Sequence, residues 1–165
     1  MTGPDKTIWR VLGNDSAVYD VLALLRSSFR YMDGRIDPPS SVHRLTVEGM
    51  QAHCHAGGEI WVIGRPLIGC MFLMPKSGRL YMGKLAVHER MRGQGLCSAM
   101  VDHAARRAAA LELPELELET RVELTENHRV FSRLGFTIVS TGTHEGYDKP
   151  TDFLMRKPVN LSADS

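Results

Sequence analysis

Two hydrophobic periods run through this chain, one of about two residues and one of about 3.6. Thr7-Ile8-Trp9-Arg10-Val11-Leu12 alternates as a first strand and ends at Gly13-Asn14-Asp15. Asn14 or Asp15 can cap a helix whose Val18, Val21, Leu22, Leu25 and Phe29 form one apolar stripe. That helix should stop before Asp33-Gly34. The segment from Asp33 to Ser41, with Pro38-Pro39 inside it, reads as a loop. A shorter helix is predicted from Val42 to His53, closed by Gly57-Gly58. Three strands follow as a meander: Glu59–Ile63, Leu67–Met74 and Arg79–Val87, with turns at Gly64-Arg65-Pro66 and Pro75-Lys76-Ser77-Gly78. Gly83 inside the third strand points to a bulge, to close backbone approach by a ligand, or to packing against a bulky neighbour.

Helical spacing then returns at Leu96, Met100, Val101, Ala104, Ala108 and Leu111, and Pro114 marks the exit. Glu115 to Thr120 alternates strictly, with leucines on one face and carboxylates on the other. A short helix from Thr125 to Leu134 ends at Gly135, which suits a left-handed C-terminal position. Phe136–Ser140 and Thr151–Arg156 are the closing strands, with the polar loop His144–Pro150 between them. The order β-α-α-β-β-β-α-β-α-β-β predicts a mixed α/β sheet in a single domain over residues 1–159, with a disordered tail over 160–165.

Composition narrows the function classes. A chain of 165 residues with 43% hydrophobic content can bury a substantial core. A net charge of +1 gives no reason to expect nucleic acid or an acidic membrane surface. Cys54, Cys70 and Cys97 are odd in number and unpaired by spacing, which fits reduced thiols in a cytoplasmic protein. Met1–Lys6 lacks the basic and apolar regions of a signal peptide, and the run Leu67–Met74 is too short to span a bilayer. His53-Cys54-His55 has metal-ligand residue types, but neighbours one and two apart on a helix point in different directions, so no metal site is expected.

One junction carries chemistry. Leu85-Ala86-Val87-His88-Glu89-Arg90-Met91-Arg92-Gly93-Gln94-Gly95-Leu96-Cys97-Ser98 takes a strand through a basic, glycine-bearing turn into a long helix. Gly93 and Gly95 permit positive φ and close approach to the backbone. The first N–H groups of the helix lack partners within it and aim their dipoles outward. Such a turn can seat a phosphate or diphosphate, with Arg90 and Arg92 adding charge; it can equally be a tight turn with solvated arginines. Neither G-x-x-x-x-G-K-[ST] nor G-x-G-x-x-G is complete, because position 98 is serine.

Arg92-Gly93-Gln94-Gly95-Leu96-Cys97 resembles the coenzyme A pyrophosphate loop of the GNAT superfamily of acyl-CoA N-acyltransferases. Leu85-Ala86-Val87 resembles the strand ending that holds the pantetheine arm there. Leu118-Glu119-Thr120, Leu124–Asn127 and Phe131-Ser132-Arg133-Leu134-Gly135-Phe136 resemble the second half of that cofactor site. The resemblance covers nearly the whole chain. It implies a central mixed, mostly antiparallel sheet of seven strands flanked by four helices, and acetyl-CoA as the acyl donor. Two positions depart from the pattern. Phe131 stands where many members have a tyrosine that protonates the departing thiolate, and so carries over only as an apolar wall. Cys97 stands where the loop usually has glycine or alanine. A thiol at a helix N-terminus can be acidified and reactive, or can simply fill space.

The implied reaction is direct attack of a neutral primary amine on the thioester, through a tetrahedral intermediate. A main-chain N–H near Ala86-Val87 is the candidate oxyanion donor, worth about 3 kcal/mol if well aimed. Holding both substrates side by side supplies roughly 7 to 11 kcal/mol without a covalent enzyme intermediate. Candidate catalytic side chains are Glu119, on the carboxylate face with Glu117; His88, directly after the pantetheine strand; and Tyr147, as a replacement acid on a loop near the site. Asn127, at the start of its helix, can bind cofactor amides or cap the helix. The expected acceptor is a small-molecule amine. The alternatives are a protein N-terminus or lysine side chain as acceptor, and a non-catalytic acyl-CoA-binding module. Sheet edges in such folds often pair between subunits, so the resemblance also allows a homodimer.

Overall fold

The computed structural model describes residues 5–161. The expected tail from 160 therefore lies outside the described residues from position 162 onward, as do positions 1–4 of the N-terminal segment. The alternating runs become β1 (Ile8–Val11), β2 (Glu59–Ile63), β3 (Gly69–Lys76), β4 (Arg79–Val87), β5 (Glu115–Arg121), β6 (Thr137–Gly142) and β7 (Asp152–Pro158). The helical runs become α1 (Ala17–Ser28), α2 (Val47–His55), α3 (Leu96–Ala110) and α4 (Thr125–Arg133). The strands form one seven-stranded sheet in the order β1-β2-β3-β4-β5-β7-β6. Every neighbouring pair is antiparallel except β4 with β5, the one parallel contact among the described residues.

Side-chain alternation divides the apolar residues between the two faces of this sheet. On one face Leu80, Met82, Leu116, Leu118 and Met155 pack against Leu96, Met100, Val101, Ala104 and Ala108 of α3. The alanines let α3 approach the sheet closely. On the other face Ile60, Val62, Cys70 and Phe72 pack with Val18, Val21, Leu22 and Leu25 of α1 and Met50 of α2.

The predicted order of elements stands, and the differences have local causes. Asp15 rather than Asn14 meets the start of α1, accepting the Ala17 N–H at 2.9 Å. The helix predicted from Val42 begins at Val47 instead. Ser40 and Thr46 each offer a hydroxyl to a backbone N–H, so Ser41–Arg44 closes as a separate 3-10 turn and α2 starts afresh after Thr46. β3 runs on through Pro75, which sits opposite Leu80. Proline is tolerated there because β2 ends opposite Leu73, leaving that side of β3 without a neighbour.

One part-buried ion pair ties α3 to β2. The Arg107 guanidinium donates to both carboxylate oxygens of Glu59, and the Trp61 indole N–H donates to Glu59 Oε1 at 2.8 Å. Burial alone would raise the Glu59 pKa, but the hydrogen bonds and charge of Arg107, with Trp61, outweigh it and hold the carboxyl below its ordinary value of 4.5. Replacing Arg107 by alanine leaves a buried carboxylate uncompensated, and an expected cost of about 3 kcal/mol should appear in urea unfolding at neutral pH. Because the folded pKa is depressed, the pair's contribution is complete above the unfolded value and lost as pH falls through the folded one. Arg107→Ala should therefore flatten the loss of stability below pH 4.5.

Candidate active site

The parallel contact between β4 and β5 is short. Arg79, Leu80 and Tyr81 lie opposite Glu115, Leu116 and Glu117, and the two strands then part. β5 continues along β7 as far as Arg121, while β4 continues along β3 as far as Val87. From Met82 to Val87, the edge of β4 that faces β5 has no strand partner among the described residues. A cleft therefore opens in mid-sheet, bordered by an unpaired strand edge. Leu85 and Val87 are half-buried toward the α3 side, and Ala86 is buried on the other.

A bulge shapes this edge. Cys70 pairs with Ala86 but Phe72 pairs with Gly83, so Lys84 and Leu85 together face Met71. Lys84 takes up the extra residue at φ +49°. The bulge anticipated at Gly83 thus falls one residue later.

At the open end of the cleft β4 runs into the glycine turn. His88 accepts the Arg90 N–H on Nδ1 at 3.2 Å and starts a 3-10 turn over Glu89–Met91. Gly93 and Gly95 have φ of +79° and +77°, and Gly95 is the N-cap of α3. A Cβ at either glycine would meet nothing within 4 Å, so it is the backbone conformation, and not crowding, that requires glycine. No acceptor among the described residues takes the amides of Gly93, Gln94, Gly95, Leu96, Cys97 or Ser98. These amides lie at the positive end of a 15-residue helix, an arrangement suited to a phosphate group. Burial pushes the Cys97 thiol up to about 11, so it fills space and is not acidified by the helix.

The two arginines of the turn part company. Arg90 is exposed. The Arg92 guanidinium donates to the Ser28 carbonyl at 3.2 Å and lies 5.0 Å from the Tyr31 ring centre, so it anchors the turn to the end of α1. Asn127 does not cap α4, whose N-cap is Leu124; its side-chain amide donates to the Tyr31 hydroxyl at 3.4 Å. Phe131, one turn further along α4, packs edge-on to Phe136 with ring centres 5.8 Å apart.

Tyr31 belongs to a strap that crosses the cleft. Between Phe29 and Ser40 the chain passes from α1 to the β5 side and is fastened there repeatedly. Arg35 pairs with Glu126 at 2.7 Å, Ile36 packs on Leu124, and the Asp37 N–H donates to Glu123 Oε2 at 3.0 Å. Arg121 donates to the carbonyls of Pro38 and Pro39. Tyr147, from the β6–β7 loop, donates its hydroxyl to Asp37 Oδ1, and that bond raises the phenol's pKa.

The three candidate catalytic side chains are not brought together. Tyr147 reaches the strap, and His88 lines a separate depression beside Trp9, α1 and Leu67. Glu119 is placed at the cleft. Exposed on β5, just beyond the last residue paired with β4, it accepts the Tyr81 hydroxyl at 3.4 Å. Glu117 differs from it: buried, it is held by Arg156 at 3.0 Å and Arg79 at 3.5 Å, a structural carboxylate. Burial first, then Glu119, raise the Tyr81 pKa, so the phenol stays protonated throughout the neutral range. Tyr81, Tyr31 and Lys84 were not singled out from the sequence. Only the alternation over the first part of β4, which puts Tyr81 on the face opposite Leu80 and Met82, could have flagged one of them.

The sequence matches the acetyltransferase (GNAT) family over residues 18–136, well over half of the chain. The chain belongs to the GNAT acetyltransferase family. No curated protein matches it. Among solved structures, the GNAT fold is shared with the PaiA N-acetyltransferase of Thermoplasma acidophilum in complex with coenzyme A, at TM-score 0.76 and 12% identity over 92% of this chain and 98% of that one. A GNAT-family acetyltransferase from Staphylococcus aureus Mu50 superposes at TM-score 0.72 and 14% identity, over 93% and 100% of the two chains. A third, from Elizabethkingia anophelis with acetyl-CoA bound, superposes at 0.66 and 18% identity, over 94% and 99%. At these identities the likeness is one of fold. The GNAT region includes α1, the cleft, the glycine turn and α4 up to Phe136.

If the turn seats a phosphate through its main chain, then Gly95→Val should weaken coenzyme A binding by about tenfold or more. A β-branched residue is strongly disfavoured at this positive φ, and distorts the turn. Calorimetric titration measures the loss, and an unchanged circular dichroism spectrum would show that the sheet survives.

Proposed function

We propose that this protein transfers an acetyl group from acetyl-CoA to the primary amine of a small-molecule acceptor. The observation that carries this reading is the continuity of the partnerless β4 edge with the unpaired amides of Gly93–Ser98. A thioester donor with an amide-bearing arm and a diphosphate fits both: the arm along Leu85, Ala86 and Val87, the diphosphate on the turn, Leu96 and Cys97 included. Arg90 supplies charge from outside, Arg92 and Asn127 hold the approach through Tyr31, and Phe131, backed by the buried Phe136, supplies an apolar wall. Acetyl-CoA brings the activated acyl group; the remaining work falls to the protein.

That work is positioning, charge stabilisation and removal of one proton. A main-chain N–H near Ala86-Val87 is proposed to hold the oxyanion formed as the amine adds to the carbonyl. Glu119 is proposed as the base that keeps the incoming amine neutral, because an ammonium has no lone pair with which to attack. Tyr81 orients that carboxylate from across the cleft. His88 caps the turn with Nδ1 and serves the seat's shape, while Tyr147 secures the strap over the acceptor side. A strap fastened by Arg121, Glu123 and Tyr147 suits a small acceptor better than a protein segment.

The test combines binding with turnover. Calorimetry with coenzyme A, followed by thiol release from acetyl-CoA across a panel of small amines and lysine peptides, should give tight binding and turnover on small amines. Binding with no turnover on any amine would favour an acyl-CoA-binding module, and turnover on peptides alone a protein acetyltransferase. Glu119→Gln should lower kcat about 100-fold at neutral pH and leave coenzyme A affinity unchanged, as expected for loss of a general base. Tyr81→Phe should cost less, because the carboxylate remains.

A further inference from the structure

Lys84 is the unusual cation of this molecule. Among the half-buried lysines and arginines of the described residues, Arg79, Arg107, Arg121 and Arg156 each meet a carboxylate, and Lys157 donates to the Leu134 carbonyl. Lys84 has no oxygen partner; its ammonium lies 5.7 Å from the Phe72 ring centre, on the face covered by α1 and α2. The titratable side chains near it are Cys70 on β3 and His53 on α2, neither of them an acid that could hold its charge. Burial lowers its pKa. Its main chain is the bulge itself, directly before Leu85, Ala86 and Val87 and on the same sheet face as Tyr81.

We infer that Lys84 is a self-acetylation site, modified by the acetyl-CoA that the neighbouring strand edge receives. This rests on the donor assignment made above. The chemistry needs no further reagent. The neutral fraction of the Lys84 amine attacks the acetyl carbonyl, the C–N bond forms and the C–S bond breaks. The thiolate leaves as coenzyme A, and the amine's proton passes to solvent. Desolvation does here what Glu119 does for a free acceptor: it keeps a lone pair available. Because no hydrogen bond holds the ammonium over Phe72, the flexible stem can swing toward the cleft without breaking one. The product is a neutral acetamide, so modification removes a positive charge from the sheet face that carries Tyr81.

Peptide mapping by mass spectrometry tests this on the full chain, after incubation with acetyl-CoA labelled with carbon-13 in the acetyl group and no acceptor. The expected result is label at Lys84 at least tenfold above that at the exposed Lys76 and Lys149, abolished by prior denaturation. A Lys84→Arg variant keeps the charge, and should bind coenzyme A normally while losing the label from that peptide. Coenzyme A binding measured in parallel separates the two readings. Binding with no excess label at Lys84 overturns the self-acetylation site alone; absence of binding overturns the donor assignment and this inference with it.

Discussion

The geometry of the candidate site follows from two strands that begin side by side and do not stay so. Tyr81 and Glu117 are the last residues that β4 and β5 share, and beyond them the main chain of β4 has a neighbour on one side only. Backbone amides and carbonyls demand partners, so a strand edge left open in the middle of a sheet is a standing capacity to bind another extended chain. The bulge at Lys84 adds to this, since an extra residue increases local twist and turns neighbouring side chains to new faces.

Order and type of the regular elements were legible because each rests on a local signal. β2 and β4 matched residue for residue, and Gly135 takes the positive φ expected of it. The glycine turn was legible for the same reason: positive φ at Gly93 and Gly95, followed by helix, is written in adjacent residues. The start of α2 was missed because two hydroxyl caps compete over one apolar segment, and hydrophobic spacing does not see a cap. Pro75 reads as a strand end in the sequence because the missing neighbour that tolerates it lies across the sheet, not beside it in the chain.

The acceptor side was far less legible. Tyr31 gains its meaning from Arg92 and Asn127, and Asp37 from Glu123 and Tyr147, partners about sixty to more than a hundred positions away. Nothing local distinguishes Glu117 from Glu119; the first is buried between two arginines and the second stands at the cleft because β4 departs between them. Strap contacts of this kind depend on tertiary placement, and a strict alternation of acids gives each the same standing.

The turn at the head of α3 presents peptide groups, with a left-handed backbone required at two places. Such a surface has almost no spelling. The two left-handed positions ask for glycine, and the amides between and after them carry no side-chain signature of their own. Superposition over nine-tenths of the chain at 12 to 18% identity shows the same contrast for the whole fold: the shape is shared where few letters agree.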